Sequence, residues 1–288
     1  VICAYRLAIE LELIMDHDLA LRADALARWA YAMLFLPVRL TREEYAECLG
    51  RIREAADVAE RAGDQEIGAL VQYVLGTALY RGLGWGYCGI DAADASLAAL
   101  ESALGRTNDE GLGAAIRVQL AEVLCDRGKN DVRQVEQAIA HYVTALEMGE
   151  GALDVDSQAY CHRGLGGAYR RRQVGPRMEN VGHSVKHYAQ AYALYGALGN
   201  AISQGQVALD LADLYTGMTN EDPAYRQRAM VLLDRWWDEF PLDQYPFEAA
   251  RMRHIRGFLL SQHDHTSSAQ ETLEAIDHLR AAEALYHR

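Results

Sequence analysis

The sequence predicts an all-α solenoid of antiparallel helical hairpins, and three observations predict it. A small residue returns within apolar helical stretches at Ala30, Gly76, Ala121, Gly166, Ala212 and Gly257, at intervals of 46, 45, 45, 46 and 45 residues. Such a period of 20–50 residues is the signature of a repeat architecture. A second series of helices follows, each with apolar residues in matching i, i+3 and i+6 columns. Composition agrees: half of the 288 residues are apolar, with only 5 Pro and 4 Phe, as in packed helices rather than sheets.

The first helix of each repeat carries a bulky residue just before the small one: Trp29, Leu75, Leu120, Leu165 and Leu211, with Arg256 in the last repeat. The second helices align Leu49, Leu97, Ile139, Val185, Met230 and Ile276 in one column. Ile52, Leu100, Tyr142, Tyr188, Leu233 and Leu279 form the next. The third is Ala55, Ala103, Ala145, Ala191, Trp236 and Ala282. Apolar residues at this spacing form one helical stripe. A small residue between two helices lets their backbones approach until ridges enter grooves. One hairpin cannot bury both faces, so stacked neighbours must complete the core.

Turn signals fall where this division needs them. Ala62-Gly63-Asp64, Leu198-Gly199-Asn200 and Phe240-Pro241 end second helices. The Gly82 to Gly89 stretch separates the two helices of one hairpin. No Pro, Ser or Gly-rich linker divides the chain, so residues 1–288 read as one solenoid of about six hairpins preceded by a partial N-terminal helix. The start at Val1-Ile2-Cys3, and a last helix that carries Ile276, Leu279, Ala282 and Leu285 with no polar capping helix after it, suggest a piece of a larger protein or assembly.

The hairpins resemble tetratricopeptide repeats with an interval longer than the usual about 34 residues. They are most similar to the extended arrays beside bacterial caspase-like CHAT protease domains, whose units read LGxAYxxR, a Gly-bearing loop, then NLExAIxxYxxAL. Leu165-Gly166-Gly167-Ala168-Tyr169-Arg170, Gly175, Glu179-Asn180-Val181, Val185, Tyr188 and Ala191 carry the likeness. So do Glu136 to Tyr142 and Ala145-Leu146. It departs at Arg256, at Trp236 and across Phe240 to Pro246. The resemblance implies a right-handed superhelix that receives a protein or peptide partner and relays its presence, with a CHAT-type protease or larger effector complex as the assembly. It transfers no catalytic residue.

A formal charge of -13 opposes direct binding to nucleic acid, because a phosphate backbone needs a basic face. Apolar runs such as Tyr31 to Leu36 are too short to cross a bilayer, and the N-terminus lacks a signal-peptide pattern, so a cytoplasmic location is expected. Cys3, Cys48, Cys88, Cys125 and Cys161 are odd in number without a CxxC pair, which suits free thiols.

Sites of chemistry are weakly written. His183 and His187 share a helix face, yet His141, His187 and His278 recur in one repeat column and no third metal ligand can be named. His263 and His265 read as a solvated loop. The Gly82 to Gly89 loop lacks a GK[ST] ending and a preceding strand, so it meets no nucleotide motif, although Trp85 and Tyr87 are candidates for partner contact. No GxSxG elbow is present, and no carboxylate spacing pairs a base with a nucleophile. No enzyme activity, cofactor or metal is expected. Arg163, Arg170, Arg171, Arg172 and Arg177 form the one concentrated basic patch, either ending a helix or clamping an acidic group.

In tetratricopeptide arrays the first helices line the inner groove. That places Tyr73, Thr77, Tyr80, Glu122, Arg163, Arg170, Asp213 and His254 on a concave docking face, with tyrosines at one end and arginines in the middle. An apolar segment followed by carboxylates complements that order. Two other readings stand beside this one: a repeat-built enzyme or small-molecule-binding protein using the solenoid interior, and an adaptor in an RNA-guided complex.

Overall fold

The computed structural model describes residues 18–36, 39–127, 131–148, 151–239, 241, 244–262 and 269–286. Cys3, His263, His265 and the segment expected to precede the first hairpin lie outside the described residues. Among the described residues every regular element is an α-helix. The chain forms two compact units, Val1–Asp154 and Val155–Arg288. Unit 1 holds α1 (Leu19–Leu34), α2 (Arg42–Ala62), α3 (Gln65–Gly84), α4 (Ala92–Leu104), α5 (Glu110–Arg127) and α6 (Val132–Glu147). Unit 2 holds α7 (Val155–Arg171), α8 (Arg177–Ala197), α9 (Ala201–Thr216), α10 (Ala224–Glu239), α11 (Pro246–Ser261) and α12 (Ala269–Tyr286). No described helix is long and apolar enough to cross a membrane.

Helix ends follow local chemistry. Thr41 caps α2 by accepting from the Glu44 amide, and the Glu44 carboxylate accepts from the Thr41 amide in return. That backbone bond holds the Glu44 carboxyl below its usual range. Gly63 and Gly199 stop α2 and α8 in left-handed conformations, φ 69° and 66°, which other residues adopt only at a cost. The residue after each glycine caps the next helix: Asp64 accepts from the Ile67 amide and Asn200 from the Ser203 amide. Two turn triplets therefore reverse the chain as their sequence predicts.

Within each unit the helices pair as hairpins: α1 with α2, α3 with α4, α5 with α6, then α7 with α8, α9 with α10, α11 with α12. Each second helix also packs on the next first helix of its unit. First helices touch one another as well, α1–α3–α5 in unit 1 and α7–α9–α11 in unit 2. This is the neighbour pattern of a helical repeat. The core of unit 1 is built on Leu26, Ile52, Leu100, Ile116 and Leu120. Unit 2 buries Ala212, Leu233, Met252 and Leu259 in one cluster and Tyr188, Tyr195, Val207 and Leu211 in another.

The small column sits where the hairpin helices meet. A Cβ placed on Gly76 would come within 2.6 Å of Leu100 Cγ, one on Gly166 within 2.6 Å of Tyr188 Cδ1, and one on Gly257 within 2.8 Å of Leu279 Cγ. All three opposing residues belong to one sequence column. The close approach also lets a buried hydroxyl cross: Ser96 Oγ donates to the Gly76 carbonyl and Ser184 Oγ to the Gly166 carbonyl, each at 2.7 Å.

Two irregular positions have physical consequences. Trp236, standing where the other repeats have Ala, is buried, and α9–α10 is the most loosely packed hairpin. Arg256 replaces a core Leu by reaching outward: it donates to Asp234 at 2.6 Å and lies 5.1 Å over the Trp237 ring.

Glycines of the two environments should respond with opposite signs. Gly166→Leu overpacks the helix contact and should lower stability by about 1–3 kcal/mol. Gly182 lies in α8 with nothing within 4 Å of its would-be Cβ. Gly182→Ala should raise stability by about 0.5–1 kcal/mol. Urea denaturation followed by circular dichroism measures both.

Candidate docking surface

The first helices of each unit carry the side chains expected at a docking face. In unit 1, Thr77 is wholly buried and donates its hydroxyl to the Tyr73 carbonyl at 2.9 Å. Tyr73 is buried too, its hydroxyl 3.5 Å from that of Tyr31, which stacks in turn near Phe35. Neither residue offers surface to a docked segment. Tyr73, three residues before the small position, turns toward Tyr31 of the preceding first helix, and Thr77, one residue after it, turns back onto its own helix.

Tyr80 and Glu122 are half-buried. Tyr80 donates its hydroxyl to Asp126 on the neighbouring first helix. Burial, then the charges of Glu122 and Asp126, push its phenol above the usual range, so it remains a neutral donor. Gln119 donates to Glu122 at 2.8 Å. Arg81 sits 4.1 Å over the exposed Phe35 ring. The first-helix face of unit 1 is thus aromatic and acidic.

Unit 2 is organised around Asp210. Arg163 Nε donates to one of its oxygens at 2.7 Å and Arg251 Nη2 to the other at 2.9 Å, so one carboxylate of α9 ties α7 to α11. Gln206 extends the connection, accepting from Arg163 at 2.9 Å and donating to Glu248 at 2.7 Å. Arg170 donates to Asp213 at 2.7 Å. His254 is exposed on α11 beside this row. The structure therefore brings Arg163, Arg170 and Asp213 together, but the arginines already hold carboxylates of their own chain.

The basic run at the end of α7 is divided in the same way. Arg177 donates to Glu221 at 3.1 Å and to the Gly217 carbonyl at 3.2 Å, while Arg172 lies 5.8 Å over the Tyr169 ring. The run joins hairpins more than it concentrates charge. Sequence reasoning missed Asp210, Gln206, Glu248 and Arg251. Their signal was present as opposite charges separated by about one repeat, 47 residues from Arg163 to Asp210 and 41 from Asp210 to Arg251.

The histidines form a stacked group inside the α7–α8 hairpin. His162 and His187 bring their Nδ1 atoms to 3.0 Å, so one ring donates to the other, and Tyr169 stacks over both His183 and His187. Burial, followed by the charges of His162, Lys186 and His183, pushes His187 down to about 4. It is a neutral ring at neutral pH. Among the described residues no group of three or more His, Cys, Asp or Glu could hold a metal ion.

The Gly82 to Gly89 loop is held rather than loose. Gly82 closes against Tyr45, whose hydroxyl donates to the Ala78 carbonyl at 3.0 Å. Trp85, Tyr87 and Tyr45 cluster with ring centroids about 5.5–6.1 Å apart, and the Arg39 guanidinium lies 4.7 Å over Tyr87. No protein-family model matches the sequence, and no curated protein matches it.

The ladder sets a contrast between its rungs. Asp210 is 14% exposed with two arginine partners, so Asp210→Asn should cost about 1–3 kcal/mol through lost charge-assisted bonds. Asp213, 37% exposed with Arg170 alone, follows the rule for surface pairs, and Asp213→Asn should cost less than about 1 kcal/mol. Equilibrium urea unfolding of the two variants checks the ranking.

Proposed function

We propose that this chain is a protein-docking array of tetratricopeptide-like hairpins, turning in a right-handed sense within each unit, and that it serves as the sensor or scaffold part of a bacterial effector of the CHAT-associated kind. The observation that carries the reading is the ladder of α7, α9 and α11. Ion pairs running from one first helix to the next fix a row of polar side chains before any partner arrives, and a preorganised surface loses less entropy on binding. Around that row, exposed Tyr160, Phe247, His254 and Phe258 supply the aromatic side chains that anchor interfaces. Phe247, Arg251, His254 and Phe258 fall at i, i+4, i+7 and i+11, one face of α11.

The ladder narrows the partner chemistry expected from sequence. A carboxylate of the partner meets Arg163 only by displacing Asp210, whereas Arg170 is more open. Contact through the aromatic rim, with Arg170 as the accessible cation, is the arrangement that leaves the ladder intact.

Site-specific photo-crosslinking in the native host tests this reading. A photoreactive residue at Phe247 or at His254 should capture the same protein, while one at the exposed Ala189 on α8 should not. Absence of an adduct at both α11 positions, or equal capture at Ala189, would remove the docking face.

A further inference from the structure

The α9–α10 hairpin, the most loosely packed, carries a second surface. Between α9 and α10 lies an open pocket of about 460 Å³, lined chiefly by Leu211, Tyr215, Ala224, Arg228, Val231 and Leu232. Its walls are mainly apolar, and Val231 stands 61% exposed at the rim. On α10 the residues Ala224, Arg228, Val231, Leu232 and Arg235 recur at i, i+4, i+7, i+8 and i+11, which aligns them in one stripe. The stripe is a short apolar step between two exposed arginines.

The charge of those arginines is unanswered. Arg228 lies 5.1 Å over the Tyr225 ring and Arg235 5.8 Å over the Tyr192 ring. Among the described residues no carboxylate pairs with either, although Arg22, Arg163, Arg170, Arg177, Arg251 and Arg256 all hold one. Among the described residues Arg39, Arg42, Arg81 and Arg253 likewise lie over aromatic rings without a carboxylate, but only on α10 do two such guanidinium groups stand two helical turns apart on a stripe whose middle residues, Val231 and Leu232, line an apolar pocket. A guanidinium held over a tyrosine ring by cation–π attraction still has N–H donors with which to bind a carboxylate.

We propose that the α10 stripe docks an amphipathic helix of a partner protein, in which two apolar side chains at i+3 and i+4 enter the pocket and acidic residues at i and i+7 meet Arg228 and Arg235. The spacing repeats that of the receiving helix, as helix-in-groove recognition requires. This rests on the reading that the chain docks a protein, and it names one contact and its chemistry on a different helix.

The probe is a sixteen-residue amidated Ala/Gln-based peptide with Glu at i and i+7 and Leu at i+3 and i+4. Control peptides carry Lys for both Glu or Ser for both Leu, and decanoate represents a small amphiphilic carboxylate. Methyl NMR of the full chain reports the Val231, Leu232 and Leu211 resonances during titration. The acidic peptide should shift these methyls and bind at least tenfold more tightly than either control. Arg228→Glu with Arg235→Glu should abolish that preference with an unchanged melting temperature, and the single surface change Val231→Asp should weaken binding about tenfold. Unshifted pocket methyls, equal binding of the Lys peptide, or shifts with decanoate alone would overturn the proposal. If the peptide fails while the α11 crosslinks form, the stripe is lost and the docking reading stands; if the crosslinks also fail, both are lost.

Discussion

Contact between the two helices of a hairpin at the small-residue column is the constraint on which the remaining architecture depends. At Gly76, Gly166 and Gly257 the opposing side chain occupies the space a Cβ would need. Because the backbones approach this closely, buried Ser96 and Ser184 reach the carbonyls of the facing helix instead of leaving polar atoms unsatisfied. The distance within a hairpin then sets where its first helix lies against the next. That second spacing brings Arg163 within 2.7 Å of Asp210. Packing therefore comes before electrostatics here: the ladder is possible because the small column has already positioned the helices.

Much of the fold was legible because its determinants repeat. Apolar columns recur with helical spacing, and the opposing partners of three glycines, Leu100, Tyr188 and Leu279, all come from the single column that periodicity had isolated. The triplets around Gly63 and Gly199 were readable for another reason: their conformations are dictated by a few adjacent residues. Burial of Thr77 and Tyr73 was not readable in that way. It depends on how far each first helix is rotated against its neighbour, which a pattern within one helix does not specify.

The docking face was legible only in outline for the same reason. A column places Arg163 and Arg170 on the first helices, but their partners Asp210 and Asp213 lie 47 and 43 residues away, and the offset between those helices selects them. Opposite charges one repeat apart are thus a better sign of internal stapling than of a clamp awaiting an acidic ligand. Arg228 and Arg235 show the converse. They lie over tyrosine rings, and among the described residues no carboxylate pairs with them, so they keep the unpaired charge that the sequence pattern assigned to Arg163 and Arg170. Trp236, read in sequence as a departure from the repeat, is buried in the most loosely packed hairpin.

The close approach at Gly166 is tested most directly by a double-mutant cycle with Tyr188, measured by equilibrium unfolding. In the native background Gly166→Ala should destabilise, because the added methyl meets the Tyr188 ring 2.6 Å away. In a Tyr188→Ala background that obstacle is gone, and Gly166→Ala should stabilise by up to about 1 kcal/mol through helix propensity alone. The reversal of sign is the result this account predicts. Gly166→Ala stabilising in both backgrounds, or destabilising equally in both, would contradict it.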